Sequence, residues 1–157
     1  MIISLGKGKS ALIDGSDYDR VKHIKWHPML KHSIWYARGF LNEKTVLLHR
    51  VVLGAKLGEW VDHINHNGLD CRQANLRIVT PSQNAMNARV RRDSKTKFRG
   101  VTIIPSTAKL TYPYWARIMV KGNPINLGYF KTAIEAANAY NDASHKYHGD
   151  FGCRNVF

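Results

Sequence analysis

The chain has 157 residues, a length that fits one domain or two small ones, and a hydrophobic fraction of 44%, which argues against disorder. Its 24 Lys and Arg against 11 Asp and Glu leave a net charge of +13, which points to a polyanionic partner, nucleic acid foremost. Two cysteines, Cys71 and Cys153, are too few for a disulfide framework or a four-cysteine zinc site, and no stretch is apolar enough to span a bilayer.

In chain order, the Met1–Lys7 segment lacks the apolar run of a signal peptide, so a cytoplasmic protein in a reducing compartment is expected. Ala11-Leu12-Ile13 is a short apolar run ending at the turn signal Asp14-Gly15. Ser16, with Asp19 three residues on, predicts a capped short helix through Val21 and Ile24 to Trp26. Residues 35–40 and 46–48 predict a β-hairpin around Asn42-Glu43-Lys44, and a helix from His49 ends near Gly54 or Gly58.

Val61-Asp62-His63-Ile64 and Leu76-Arg77-Ile78-Val79 read as two short strands joined by a polar loop. Thr80-Pro81-Ser82-Gln83 is a helix start, with Thr as N-cap, Pro at N1 and Gln closing a capping box, and the helix is expected to reach Arg89. Arg89, Arg91, Arg92, Lys95, Lys97 and Arg99 then crowd eleven positions, a run compatible with both a solvated linker and contact with phosphates. Beyond Phe98, the segments 99–104, 114–120 and 125–130 predict three strands. A second capping box, Thr132 to Glu135, starts a helix with Ala133, Ala136, Ala137, Tyr140, Ala143 and Tyr147 on one face and a stop at Gly149.

The chemistry centres on Asp62-His63. A carboxylate is a hard oxygen ligand suited to Mg²⁺ or Mn²⁺. Its histidine neighbour faces the other side of a regular strand, so one shared site requires a bend. Asn75 lies just before the second strand, where it can return beside His63 and orient its ring, and Asn84 at the start of the capped helix can offer an amide oxygen. A zinc finger is excluded, because Cys71 has no nearby cysteine partner.

The string Val61 to Asn67, then Asn75 to Thr80, then Asn84, resembles the homing-endonuclease branch of the HNH, or ββα-metal, nucleases, and Leu48-His49-Arg50-Val51 resembles the segment that precedes this motif in phage proteins. The resemblance implies that Asp62 and Asn84 bind one divalent ion, Mg²⁺ or Mn²⁺, that His63 is the general base and that Asn75 holds the base in place. The third letter of the motif is Asn in place of His. His49 and His66 have no role in the pattern.

Lys97-Phe98-Arg99-Gly100-Val101, Trp115-Ala116-Arg117-Ile118, Leu127-Gly128-Tyr129-Phe130 and the run from Thr132 to Asn141 resemble the AP2 DNA-binding domain. That resemblance implies a sheet laid in the major groove. Positions where plant relatives carry Arg or Trp hold Thr102, Ile104, Met119, Pro124 and Asn126, so the bidentate arginine readout of guanine is largely missing.

The expected fold class is α+β: a mixed α/β segment with a ββα-metal unit over 1–88, a basic linker over 89–97, and a three-stranded antiparallel sheet packed on one helix over 98–157. The unit over 1–88 is expected to fold without the C-terminal module. The expected partner is double-stranded DNA, met by Arg50, Arg77, Arg89, Arg91, Arg92, Lys95, Lys97, Arg99, Trp115 and Arg117. The expected protein is a monomer with no membrane association, encoded by a phage and working in the bacterial cytoplasm. A monomer with one site is expected to nick. The alternatives are a non-catalytic AP2-type DNA-binding regulator, opposed by the intact four-residue motif, and an RNA-binding protein, which rests on charge and scattered aromatics alone.

Overall fold

The computed structural model describes residues 1–105 and 110–157. It is an α+β structure that divides into two compact units, Met1–Pro81 and Ser82–Phe157.

The first unit opens with an antiparallel hairpin of β1 (Ile2–Gly6) and β2 (Lys9–Leu12). Ile3, Leu5 and Ala11 point inward by the period-two rule, and Ile13 continues the buried face. A 3-10 turn at Gly15–Asp17 leads into α1 (Tyr18–Val21), which has no side-chain cap. The helix expected to reach Trp26 therefore ends five residues early. The reason lies in the core: Trp26 turns inward and its indole N–H donates to the Val21 carbonyl at 3.1 Å, taking up an acceptor at the helix end.

A three-stranded antiparallel sheet follows, in the order β3 (His27–Lys31), β4 (Ile34–Leu41), β5 (Lys44–Leu47). The β4–β5 hairpin is the expected one, turning on Asn42 and Glu43 at φ 49° and 62°. β3 had no clear signal, because Pro28 and Lys31 break its alternation; as an edge strand it tolerates the proline. Gly39 on β4 lets this sheet lie against the core, since a Cβ there would stand 2.6 Å from Ile24 Cγ2 and 3.0 Å from the Trp26 ring. Helix α2 (Leu48–Leu53) starts as β5 ends and stops at Gly54, φ 63°, as expected.

The pair β6 (Trp60–His63) and β7 (Leu76–Val79) completes the unit, with Asp62 opposite Arg77 and His63 opposite Leu76. The loop between them is tied back to the N-terminal hairpin: Leu12 N–H donates to the Leu69 carbonyl, and Cys71 N–H to that of Leu12, both at 2.8 Å. The core around Ile13, Val21, Trp26, Leu48, Val52 and Leu76 is continuous beneath these elements.

In the second unit, α3 (Pro81–Met86) begins at the division and is shorter than expected. Its last carbonyls are taken up from within this unit. The Arg99 guanidinium donates to Ala85 at 2.7 Å and to Ala88, and the Cys153 N–H donates to Met86 at 3.0 Å. A chain cut at residue 98 would lose these partners of α3.

The sheet runs β8 (Val101–Ile103), β9 (Tyr114–Val120), β10 (Asn123–Phe130), all antiparallel, and α4 (Ala133–His148) packs on one face. The expected capping box is present: Glu135 N–H donates to Thr132 Oγ1 at 3.2 Å, while Thr132 N–H donates to the Glu135 carboxylate at 3.3 Å. Ala136, Ala137, Tyr140 and Ala143 are buried as the stripe predicted, but Tyr147 is exposed, and Ser144 and His148 complete the face. Gly100, at φ 73°, lies beneath Tyr140, where any Cβ would collide with the ring.

Candidate active site and nucleic-acid interface

Strand β6 delivers Asp62 and His63 in succession and buries both, at 8% and 6% exposure. The Asp62 charge acts on the His63 ring, so the two lie close. Asp62 accepts from its cross-strand neighbour: Arg77 Nε at 3.0 Å and Nη2 at 2.8 Å both reach Oδ2. His63 packs edge-on against His49 of α2, with ring centroids 4.8 Å apart, and against Tyr36 of β4 at 5.8 Å. Tyr36 and His49 are themselves 5.7 Å apart, so three rings from three elements meet here. The strand ends at His63, and the chain turns at once, with His66 N–H on the His63 carbonyl at 2.9 Å.

Burial, the largest influence, lowers the His63 pKa to about 4 against the opposing pull of Asp62 and Asp70. His49 is lowered further, to about 3, again by burial first and then by His63 and Arg50. Both imidazoles are therefore neutral at physiological pH, and a neutral ring is the form able to accept a proton. The His49 Nδ1 atom is buried without a hydrogen-bond partner among the described residues.

Asn75 anchors the loop that follows His63. Its Oδ1 accepts from Asn65 N–H at 2.9 Å, its Nδ2 donates to the Asp70 carbonyl at 2.8 Å, and its own carbonyl takes the Ile64 N–H at 2.9 Å. Asn75 thus ties down the backbone that follows His63. Asp70 is buried and bound by Arg72 and Asn65; the Arg72 hydrogen bond holds its carboxyl below the usual range. Gln73 clamps the far end of the loop onto Asp14 and the buried Asp17. The loop is held by its own polar side chains.

Asn84 is half-buried on α3, within the second unit. No three His, Cys, Asp or Glu side chains cluster to hold a metal among the described residues. A carboxylate such as Asp62 is a hard oxygen donor of the kind that suits Mg²⁺ or Mn²⁺. Cys71 is buried, its thiol pushed up to about 12, and takes no part in such chemistry.

Several of the cations expected on DNA also bond acceptors within the protein. The Arg50 guanidinium donates to the Glu59 and Lys56 carbonyls, bracing the turn after α2. Arg77 holds Asp62, and Arg99 caps α3 while donating to the Tyr140 hydroxyl. Lys97 bonds the Arg92 carbonyl at 2.7 Å. Arg91, Arg92 and Lys95 are exposed. Trp115 and Arg117 lie on the open face of β9, opposite the buried Ala116 and Ile118, with the Arg117 guanidinium 5.0 Å from the Trp115 ring centroid.

The reading of the sequence missed the contribution of Tyr36 and His49 to the site; the Leu48-His49-Arg50 segment was the one available signal.

The strand pair β6–β7 and its loop place the buried Asp62 and His63 together in the first unit of an α+β chain. Residues 46–86 match the family model described as HNH endonuclease, a span that includes Asp62, His63, Asn75 and Asn84. An uncharacterized HNH endonuclease of Acanthamoeba polyphaga mimivirus is 25% identical over 156 residues, 98% of this chain and 79% of that relative. No solved structure matches the chain. The chain thus carries an HNH endonuclease domain, and the matches support a nuclease acting on DNA with a divalent metal. No helix among the described residues is long and apolar enough to cross a membrane.

Proposed function

We propose that the chain is a homing-type DNA endonuclease, phage-encoded, that hydrolyses phosphodiester bonds with His63 as general base and one Mg²⁺ or Mn²⁺ ion held by Asp62 and Asn84. The observation that carries this reading is the buried Asp62–His63 pair at the end of β6, inside the stretch that matches the nuclease family. The ion, when bound, supplies positive charge against the phosphate and leaving oxygen.

The remaining roles belong to the chain's own residues. His63, kept neutral by burial, takes the proton of the attacking water. A base with a pKa of about 4 is a weak acceptor on its own, and the negative phosphate brought by DNA raises it toward its task. Arg77 fixes the Asp62 carboxylate from the neighbouring strand. Asn75 sets the backbone that follows His63, and the His49 and Tyr36 rings limit how the imidazole can turn. Residues 1–88 form the nuclease part in this reading, 89–97 a basic linker and 98–157 an AP2-like module that holds duplex DNA through the open sheet face around Trp115 and Arg117. Arg89, Arg91, Arg92 and Lys95 add phosphate contacts. The protein acts as a monomer and nicks.

Incubation of the purified chain with supercoiled DNA, with and without Mg²⁺ or Mn²⁺, tests this. Metal-dependent nicking is expected, and His63→Ala should slow it about 10²–10⁴-fold while binding in chelator stays unchanged. Cleavage by His63→Ala at the parental rate would remove His63 from the mechanism.

A further inference from the structure

The open sheet face of the second unit has a chemical character that bears on which base it reads. The register sets Trp115 beside Tyr129, Arg117 beside Asn126 and Met119 beside Pro124, so β9 and β10 present matched rows. Met119 and Tyr129, both on this face, are 51% and 54% exposed. The surroundings are basic: residues 82–157 contain twelve Lys and Arg against four acidic residues, Asp93, Glu135, Asp142 and Asp150. An apolar face in so positive a setting suits the interior of a DNA groove.

The polar atoms on this face are already arranged. Asn126 Oδ1 accepts from Trp115 Nε1 at 2.8 Å and from Gly128 N–H at 3.0 Å, so its carbonyl is taken and its Nδ2 amine is the group left to donate. The Arg117 guanidinium is stacked on Trp115, 5.0 Å from the ring centroid, and makes no ion pair among the described residues. Bidentate reading of adenine needs both ends of an Asn amide, and here one end is occupied. Cytosine presents an amino donor, which calls for an acceptor. Thymine alone offers an acceptor, O4, beside a C5 methyl, and this matches one amine donor among apolar side chains.

We propose that this sheet face reads thymine in the major groove, with the Asn126 amine on O4 and the Met119 and Pro124 side chains against the C5 methyl. The inference rests on the reading that this face lies on DNA.

Removal of that methyl alone is the test. The full chain, in chelator to prevent cleavage, is titrated with poly(dA-dT) and poly(dA-dU), polymers of identical charge. One buried methyl is worth about four-fold in affinity, so binding to the uracil polymer should be about four-fold weaker. Met119→Gln should shrink that ratio, and Arg117→Ala should weaken both polymers alike. Equal affinity for the two polymers, or a ratio untouched by Met119→Gln, overturns the thymine reading. If Arg117→Ala still weakens both, the DNA-facing sheet survives that failure. If Arg117→Ala leaves both polymers unchanged, the sheet does not lie on DNA and both readings fall.

Discussion

In the first unit the buried positions include Asp17, His49, Asp62, His63, Asp70 and Asn75, whereas in the second the sheet–helix interface is closed by Ala116, Ala136, Ala137 and Ala143. Burying a polar group is unfavourable unless it finds a partner, so the first unit surrounds most of these with Arg77, Arg72, Gln73 and loop N–H groups. The second packs its helix on its sheet through small apolar side chains, with Ser144 and His148 among the buried polar residues, and sets Trp115 and Arg117 on the open sheet face. Placing a neutral histidine and a carboxylate side by side demands an ordered interior network. A sheet packed on a single helix leaves its other face uncovered.

The largest expected effect breaks the second unit alone. Gly100 has φ 73°, and a Cβ there would collide with the Tyr140 ring and stand 2.7 Å from the Arg117 carbonyl. Gly100→Ala combines backbone strain with overpacking in a helix–sheet interface built from alanines, at an expected cost of about 3–5 kcal/mol. Hydrogen exchange resolved by peptide checks it: amides of β9 and α4 should lose protection while those of β4 and α2 keep theirs. Equal loss in both units would mean that they do not differ in the way their interiors suggest.

Asn75→Ala comes next and tests the polar network of the first unit. It leaves the Asn65 N–H and the Asp70 carbonyl without their partner, about 1–3 kcal/mol for each group that stays dry. Because the loop adjoins His63, cleavage should fall about 10–100-fold, as for other residues that orient a working side chain. DNA affinity should not change. Full activity in this variant would show that loop order is not coupled to the base.

Local pattern made much of this legible. The alternation in Leu76–Val79 and Tyr114–Val120, the turn at Asn42-Glu43 and the Thr132 capping box all depend on residues close in sequence, and each was read at or near its place. β1 and β3 were missed, the second because Pro28 disguises an edge strand. Asp62 and His63 stood out because they are adjacent. The Tyr36–His49–His63 ring contact did not, since it joins three elements whose meeting is a tertiary event. The engagement of Arg50, Arg77 and Arg99 by protein acceptors was hidden for the same reason: a cation in sequence carries no mark of where its guanidinium will bond.

The last effect is a slope, and it separates the two interiors by pH. His49 and His63 have folded pKa values of about 3 and about 4, below the unfolded value near 6.5. Between roughly pH 4 and 6.5 the unfolded chain therefore binds protons that the folded chain refuses. Stability is fully present above that window and falls as pH drops through it, by about 1.4 kcal/mol per pH unit for each histidine. Urea unfolding of the first unit between pH 7.5 and 4.5 should show this loss. His49→Phe keeps a ring against Tyr36 and His63 while removing one of the two titrations and the unpartnered Nδ1. It should fold at least as stably at neutral pH and roughly halve the acid slope. An unaltered slope would place the acid sensitivity elsewhere and remove the buried neutral histidine pair from the account of how this unit differs from its neighbour.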